Sequence, residues 1–493
     1  MKKIYKDLLK DSKYSNVVLF ILSLFLSIFV LLQSPSSIFS KSITNTDSSV
    51  FLLMANILKS GGKMYVDCFD HKGPILYLIN LLGVCINNKW GIWIIEILFM
   101  EMVIIFFYKI TKLNCSKKTS SIFAVITSFL LLCYFSKGFN FTEEYALLFQ
   151  IISLYIFYKD IMNKTELSKK EIILLGICFA ITALLRVNLV VVWIVPCIYF
   201  IIESIKTKKL KNIPNYIIFF LIGILVVFIP IHIYLKKTGA FNEFIQDYLL
   251  FNFKYAKRNS YVNIIYSIKY FVIENKILLL VEMIIVTNLI DVYKKYRGSE
   301  KFIIHLLNFL GFILTFIFVV QPGNRYLHYA ITLVPFFALA FSNFYDNLFT
   351  NSETYWTYFI SMLVIGLIVY YFLLQFKFIR RTFYDNHPYE LYNYITENSK
   401  ETDKILVCGE IKDYIYLDTN RYPSSKYDFL PYPILDYMKE EYYKDLEENK
   451  PKIIIVVDYN RNYDIVDDKF YNKINENYYF SKKINEYKVF LRK

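Results

Sequence analysis

Residues Thr44–Leu78 read TNTDSSVFLLMANILKSGGKMYVDCFDHKGPILYL, and their setting decides the fold. The stretch is polar, acid-bearing and glycine-containing, yet it lies between an apolar run at Val17–Leu32 and an apolar block that begins at Ile75. A helix needs about 20 apolar residues to cross roughly 30 Å of hydrocarbon, and several later runs reach that length. The 493 residues are 56% hydrophobic and only 20% charged, which together with those runs indicates a polytopic membrane protein. The runs are continuous rather than alternating, so helices and not a β-barrel satisfy the backbone inside a bilayer. The expected fold class is therefore mainly α, a polytopic membrane helical bundle, with 44–78 in a loop at one membrane face.

The formal net charge of +14 does not point to nucleic acid. Lysine is interspersed with Asn, Ile, Tyr and Phe throughout, and basic residues cluster in alternate loops, as the positive-inside rule requires. The seven cysteines show no C-x-x-C spacing, and five fall in or beside apolar runs, so neither a zinc site nor a disulfide framework is indicated.

Five lysines within residues 1–16 precede the first apolar run, the pattern of a signal anchor or first span with the N-terminus inside. Gln33–Pro74 then lies outside, and within it Ser48–Lys59 carries a stripe (Val50, Leu53, Met54, Ile57, Leu58) suited to a helix lying in the interface and ended by Gly61-Gly62. Ile75–Ile86 is too short to span and reads as juxtamembrane or re-entrant. Spans are expected at 91–110, 119–135, 144–158, 171–186, 188–203, 216–235, 276–293, 302–320, 328–346 and 354–376, giving about 11 crossings with the first. Arg186-Val187-Asn188 is ambiguous between a hinge joining two helices and a kink in one. After residue 379 the composition turns polar and tyrosine-rich. Two β-like runs, Lys404–Cys408 and Lys452–Asp458, and a hairpin around Tyr478–Leu491 predict a small C-terminal α/β domain over 380–493, outside the membrane by parity. The expected division is a transmembrane domain over 1–379, holding a catalytic first outer loop at 33–74, and the domain at 380–493.

An early Asp47 just past the first span, an amphipathic run, and then D-C-F-D-H-K-G-P at the next apolar block together resemble the first outer loop of the GT-C superfamily of polyprenyl-phosphate-sugar-dependent membrane glycosyltransferases. Protein mannosyltransferases (family 39-like) and lipid A aminoarabinose transferases belong to it. The resemblance implies that Asp47 is the catalytic residue, as general base or metal ligand near the acceptor. Asp47 is equally placed as a first-turn helix acid. Ser48 and Ser49 follow it where many members have a second acid, which argues against a two-carboxylate metal site. No cofactor is called for with certainty, and a divalent cation at Asp47 stays open.

The family's Lys-Pro-Pro element corresponds to Lys72-Gly73-Pro74, which implies that Lys72 meets the donor phosphate. His71 adds a donor, and Asp67 or Asp70 would hold acceptor hydroxyls or assist a cation. Loop residues of these types are also ordinary turn formers. Glu143 and Glu144 in KGFNFTEEY match an Asn-x-Thr-Glu-Glu pattern of bacterial relatives and would bind sugar hydroxyls or serve a helix dipole. Arg325 and His328 in QPGNRYLHY match an Arg-Tyr-x-His-Tyr element. Three apart at an expected helix start, they would share a face, with Arg325 suited to a phosphate leaving group.

No P-loop, G-x-G-x-x-G, H-E-x-x-H or Ser-His-Asp signal stands beside these, which disfavours a nucleotide donor. What the resemblance implies is a transferase moving a sugar from a polyprenyl-phosphate carrier to a glycan, lipid or protein acceptor on the outer face of a bacterial plasma membrane. Membrane lipids are partners and nucleic acid is not. The alternative is a transporter or flippase of lipid-linked saccharides, for which Glu96 and Glu101 in the second span are the nearest mid-membrane charges. A surface-glycan polymerase or ligase would share the chemistry and differ in donor.

Overall fold

The computed structural model describes residues 13–40, 46–136, 138–257, 261–350, 366, 370, 387–409, 412–427, 436–457, 466 and 468–493. Among these, seven helical segments are long and apolar enough to cross a bilayer: Gly91–Asn114, Lys118–Phe135, Thr142–Asn163, Val187–Lys206, Leu210–Lys237, Glu300–Val320 and Leu327–Thr350. Helices Lys13–Leu31, with its apolar part at Asn16–Leu31, Lys169–Leu185 and Lys276–Tyr296 stand where three further spans are expected. The expected span at 354–376 lies outside the described residues except at Gly366 and Tyr370. The chain is a multi-pass membrane protein, a mainly α bundle with a small strand-containing C-terminal region.

Local chemistry sets the helix boundaries. Ser168 Oγ accepts from Glu171 N (3.3 Å) while Glu171 Oε2 accepts from Ser168 N (2.9 Å), a reciprocal capping box that starts Lys169–Leu185. At Arg186 the backbone swings to φ −162°, ψ 121°, and a 3-10 stretch, Val187–Trp193, leads into Ile194–Lys206. The ambiguous boundary is thus a break between two helices. Gly61, at φ +96°, ends Thr46–Lys59 as expected, in a conformation that a Cβ would strain.

The chain divides into two compact units. One comprises Met1–Gln33, Ile94–Ile231 and Asn259–Arg381. In it Gly176 and Gly223 bring Lys169–Leu185 and Ile213–Lys237 backbone to backbone: a Cβ on Gly176 would lie 2.1 Å from Phe220 O, and one on Gly223 2.1 Å from Ile173 O. A polar chain joins four of its helices. Asn114 Nδ2 donates to Ser342 Oγ (2.8 Å), Asn114 Oδ1 meets His305 Nε2 (3.1 Å), His305 Nδ1 meets Asn288 Nδ2 (3.2 Å), and Asn288 Oδ1 accepts from Asn343 Nδ2 (2.5 Å). Mid-span Glu101 accepts from Ser23 Oγ of the first helix at 2.6 Å.

The other unit comprises Ser34–Trp93, His232–Arg258 and Thr382–Lys493. Its sheet holds β1 Lys404–Cys408, β2 Tyr422–Pro423, β3 Ile453–Val457, β4 Tyr478–Ile484 and β5 Tyr487–Arg492, in the order β2-β1-β3-β5-β4. β2, β1 and β3 run parallel, and β3, β5 and β4 antiparallel. Central β3 reads IIIVV and is buried at every position, as a strand covered on both faces must be. Edge strand β4 carries Lys482 and Lys483, charges that discourage further pairing. Both β-like runs and the hairpin lie where the sequence predicts them.

One expectation is corrected in this unit. Thr46–Lys59 is not an interfacial amphipath: residues 48–55 are all buried, and the helix packs on Pro74–Ile86 and on Tyr414–Thr419. Val50 to Ala55 is an unbroken apolar run, and a helix that is apolar all round belongs in an interior.

Candidate active site

The first loop is built from Gly61 to Pro74. Lys63 N donates to Asp67 Oδ2 (2.7 Å) and Asp67 N to Lys63 O (3.0 Å), so exposed Asp67 closes its own turn. Tyr65 is fully buried at φ +61°, a conformation rarely taken by a bulky residue, and its hydroxyl donates to Lys72 O (2.8 Å). Tyr77 OH donates to the same carbonyl (3.2 Å), so the Lys72 backbone is pinned from two sides. Phe69 N donates to Lys426 O (3.0 Å), and its ring packs against Phe251 and Tyr427. Gly73 then caps Pro74–Ile86 with Pro at the first turn, where a missing N–H costs nothing.

These anchors line up three side chains. Asp70 is 3% exposed; its Oδ1 accepts from His71 N (2.6 Å) and lies 3.1 Å from His71 Nδ1. His71 Nε2 lies 2.8 Å from Lys72 Nζ, and Asn252 Nδ2 donates to His71 O (2.7 Å). His71 therefore stands between the Asp70 carboxylate and the Lys72 ammonium and links the three side chains into one contiguous chain. Burial alone would push Asp70 upward, but the Lys72 charge and the His71 bonds outweigh it and hold the carboxyl below its ordinary range. The structure therefore brings together Asp70, His71 and Lys72 and assigns Asp67 to the turn. Asp47 is half-buried in the first turn of Thr46–Lys59, where the helix dipole favours a carboxylate.

A second buried charge cluster in this unit has no counterpart in the sequence reading. Lys426 Nζ, 4% exposed, meets Asp247 Oδ2 (2.9 Å) and Glu243 Oε2 (3.0 Å). Burial pushes Asp247 up to about 7, although Lys426 draws it down. Lys426 and Asp247 are 179 positions apart, and no local pattern links them.

The other unit holds the remaining candidates. Gly138, Phe139 and Asn140 take positive φ in succession (117°, 56°, 58°), a sharp turn that delivers Thr142–Asn163. Glu144 Oε2 accepts from Phe141 N (3.2 Å), a helix-start role. Glu143, 2% exposed, is ion-paired with Arg186, whose guanidinium stands 4.8 Å over the Tyr329 ring and donates to Tyr329 OH (3.3 Å). His328 stacks between Phe141 (4.4 Å, 7°) and Tyr326 (5.6 Å, 13°). Glu143 and His328 thus join one aromatic and ionic cluster with Arg186. Arg325 does not share a helical face with His328: Tyr326 is extended, the 3-10 helix starts at Leu327, and Arg325 sits exposed before it. Arg186 was legible as a break but not as a partner, though a lone arginine between apolar helices is itself a signal of function.

Among the described residues no three His, Cys, Asp or Glu side chains converge to hold a metal ion.

The chain is similar in structure to ArnT from Cupriavidus metallidurans bound to undecaprenyl phosphate, with a TM-score of 0.59 at 9% identity over 97% of this chain and 98% of that one. The apo state of ArnT from the same organism matches with a TM-score of 0.56 at 9% identity, over 96% and 97% of the two chains. The fold is therefore GT-C-like along nearly its whole length. No curated protein matches in sequence. The profile of the competence-induced protein Ccs4 N-terminal domain matches residues 6–352, well over half of the chain. On that match, the chain belongs to the family of the competence-induced protein Ccs4 N-terminal domain.

Proposed function

We propose that the protein is a GT-C-type glycosyltransferase that moves a sugar from a polyprenyl-phosphate carrier to an acceptor at the outer face of the membrane. The observation that carries this reading is the likeness over 97% of the chain to a structure bound to undecaprenyl phosphate. The Asp70–His71–Lys72 chain at the membrane-edge loop supports it.

In this reading an acceptor hydroxyl attacks the anomeric carbon, the bond from that carbon to the phosphate oxygen breaks, and polyprenyl phosphate leaves. Asp47 orients the hydroxyl and takes its proton. Lys72, aimed by His71 and Asp70, neutralises the departing phosphate. Arg325, exposed before its 3-10 helix, is proposed as a phosphate-binding cation in its own unit. Glu143 is engaged by Arg186, so its role is to hold that guanidinium and Tyr329 in place. Glu144 and His328 shape the start of their helices, with sugar hydroxyls as their proposed ligands. The domain at 380–493 is proposed to lie outside the membrane with the first loop. A carrier of lipid-linked saccharides is the rival reading; of its two mid-membrane acids, Glu101 accepts from Ser23 Oγ (2.6 Å) and Glu96 is buried.

The test is purified protein in lipid with radiolabelled undecaprenyl-phosphate sugar. Release of sugar to an acceptor or to water is expected. Movement of intact lipid with no cleavage would replace the transferase by the carrier.

A further inference from the structure

A cleft of about 240 Å³ lies in the unit that holds the first loop, away from the Asp70–His71–Lys72 chain's own lining. That is far above the roughly 10–15 Å³ that admits one water, so the cleft is a solvated space open to a polar ligand. Asn56 of Thr46–Lys59, Asn88 and Lys89 after Pro74–Ile86, and Asp418, Arg421 and Tyr422 of the C-terminal region form its polar walls.

Among the described residues, these groups are held yet not exhausted. Asn56 donates Nδ2 to Leu52 O (2.9 Å) and keeps its carbonyl oxygen for a ligand. Asn88 accepts from Lys59 Nζ at Oδ1 (2.8 Å), and Lys59 also donates to Val84 O (3.0 Å), which fixes the amide while leaving its N–H groups. Asp418 Oδ2 takes Tyr392 OH (2.9 Å) and lies 3.1 Å from His387 Nδ1, so the carboxylate is oriented while Oδ1 retains its lone pairs. Arg421 serves as wall: Nε and Nη2 donate to Ser399 Oγ (3.0 Å) and O (2.7 Å), and Nη1 to Thr419 O (2.6 Å).

The ligand chemistry follows from that inventory. Planar amides and a carboxylate, offering donors and acceptors side by side and backed by a second layer of bonds, suit vicinal hydroxyls, each of which donates and accepts at once. Lys89 and Arg421 stand in the same walls as Asp418, so an anion is the rival ligand class that phosphate competition distinguishes. We propose that this cleft binds a saccharide ring of the acceptor glycan. Its assignment to the acceptor rests on the transferase reading; its affinity for a neutral saccharide does not.

The full-length protein in nanodiscs, probed by saturation-transfer NMR, tests this with methyl glucoside, methyl galactoside and methyl N-acetylglucosaminide, with inorganic phosphate as competitor. At least one glycoside should receive saturation from the wild type. That transfer should fall about fivefold or more in Asn56→Ala and in Asn88→Ala, the order of one lost hydrogen bond. Asn56→Ala should stay folded, because the lost bond is internal to a helix and Ala is the best helix former. No transfer to any of the three, equal transfer in both folded variants, or displacement by phosphate would overturn the proposal. Donor cleavage by the same wild-type sample separates the two readings. Cleavage without glycoside binding overturns the cleft alone, and glycoside binding without cleavage upholds the cleft and overturns the transferase.

Discussion

Lys72 presents its charge through its neighbours: the ammonium meets His71 Nε2 at 2.8 Å, and two tyrosine hydroxyls hold its carbonyl. Replacing His71 with Phe keeps a ring beside Phe251 and removes the acceptor that aims Lys72. Binding of a radiolabelled undecaprenyl-phosphate sugar should weaken about tenfold in His71→Phe, the order of one net hydrogen bond. Lys72→Ala should cost more, about 1.5–3 kcal/mol, as expected for a charge-assisted contact. Equal binding in Lys72→Ala and wild type would remove Lys72 from the donor site. The loop's acids were legible as a group, but their division of labour was not. Asp67 and Asp70 look alike in sequence, and only the turn at Lys63 and the burial of Asp70 tell them apart. Arg186 and Glu143 stayed hidden as a pair because 43 positions separate them.

Helices were the most legible elements, since length and continuous apolarity are what a bilayer demands of a span. Thr46–Lys59 was misread because a stripe at helical spacing was counted while the apolar residues between its members were not. β2, two residues long, pairs only through Lys404 and Ile405 and leaves no periodic trace. The glycines in spans make a sharper prediction. Gly223→Val should lower the thermal midpoint in detergent by overpacking, at a cost of about 1–3 kcal/mol, because its Cβ would meet the Ile173 carbonyl. An unchanged midpoint would mean that the two helices do not touch there.

The Asp247–Lys426 contact carries a pH dependence at the same scale. Asp247 is pushed up to about 7 by burial, so between its unfolded value near 4 and about 7 the folded chain keeps a proton that the unfolded chain has released. Stability from this group therefore falls as pH rises through that window. Asp247→Asn should flatten the change in thermal midpoint between pH 5 and pH 7.5, and an identical slope in the two proteins would refute the burial of that charge.

For the whole molecule, the multi-pass architecture follows from composition, and the likeness to ArnT extends it over 97% of the chain. In the proposed transfer the donor lipid and the acceptor meet at one face, which the sidedness of the chain sets. In a background without the seven native cysteines, Glu401→Cys should be labelled by an impermeant thiol reagent in intact cells. Labelling only after permeabilisation would place the C-terminal region inside and remove the outer-face reaction.

The central claim is that Asp47 drives sugar transfer from a polyprenyl-phosphate carrier. Bound and transferred sugar, measured together on Asp47→Asn in lipid with radiolabelled undecaprenyl-phosphate sugar, test it most directly. The account predicts unchanged donor binding with transfer reduced by roughly 10² to 10⁴, the usual contribution of general acid-base catalysis. Transfer at the wild-type rate would contradict it.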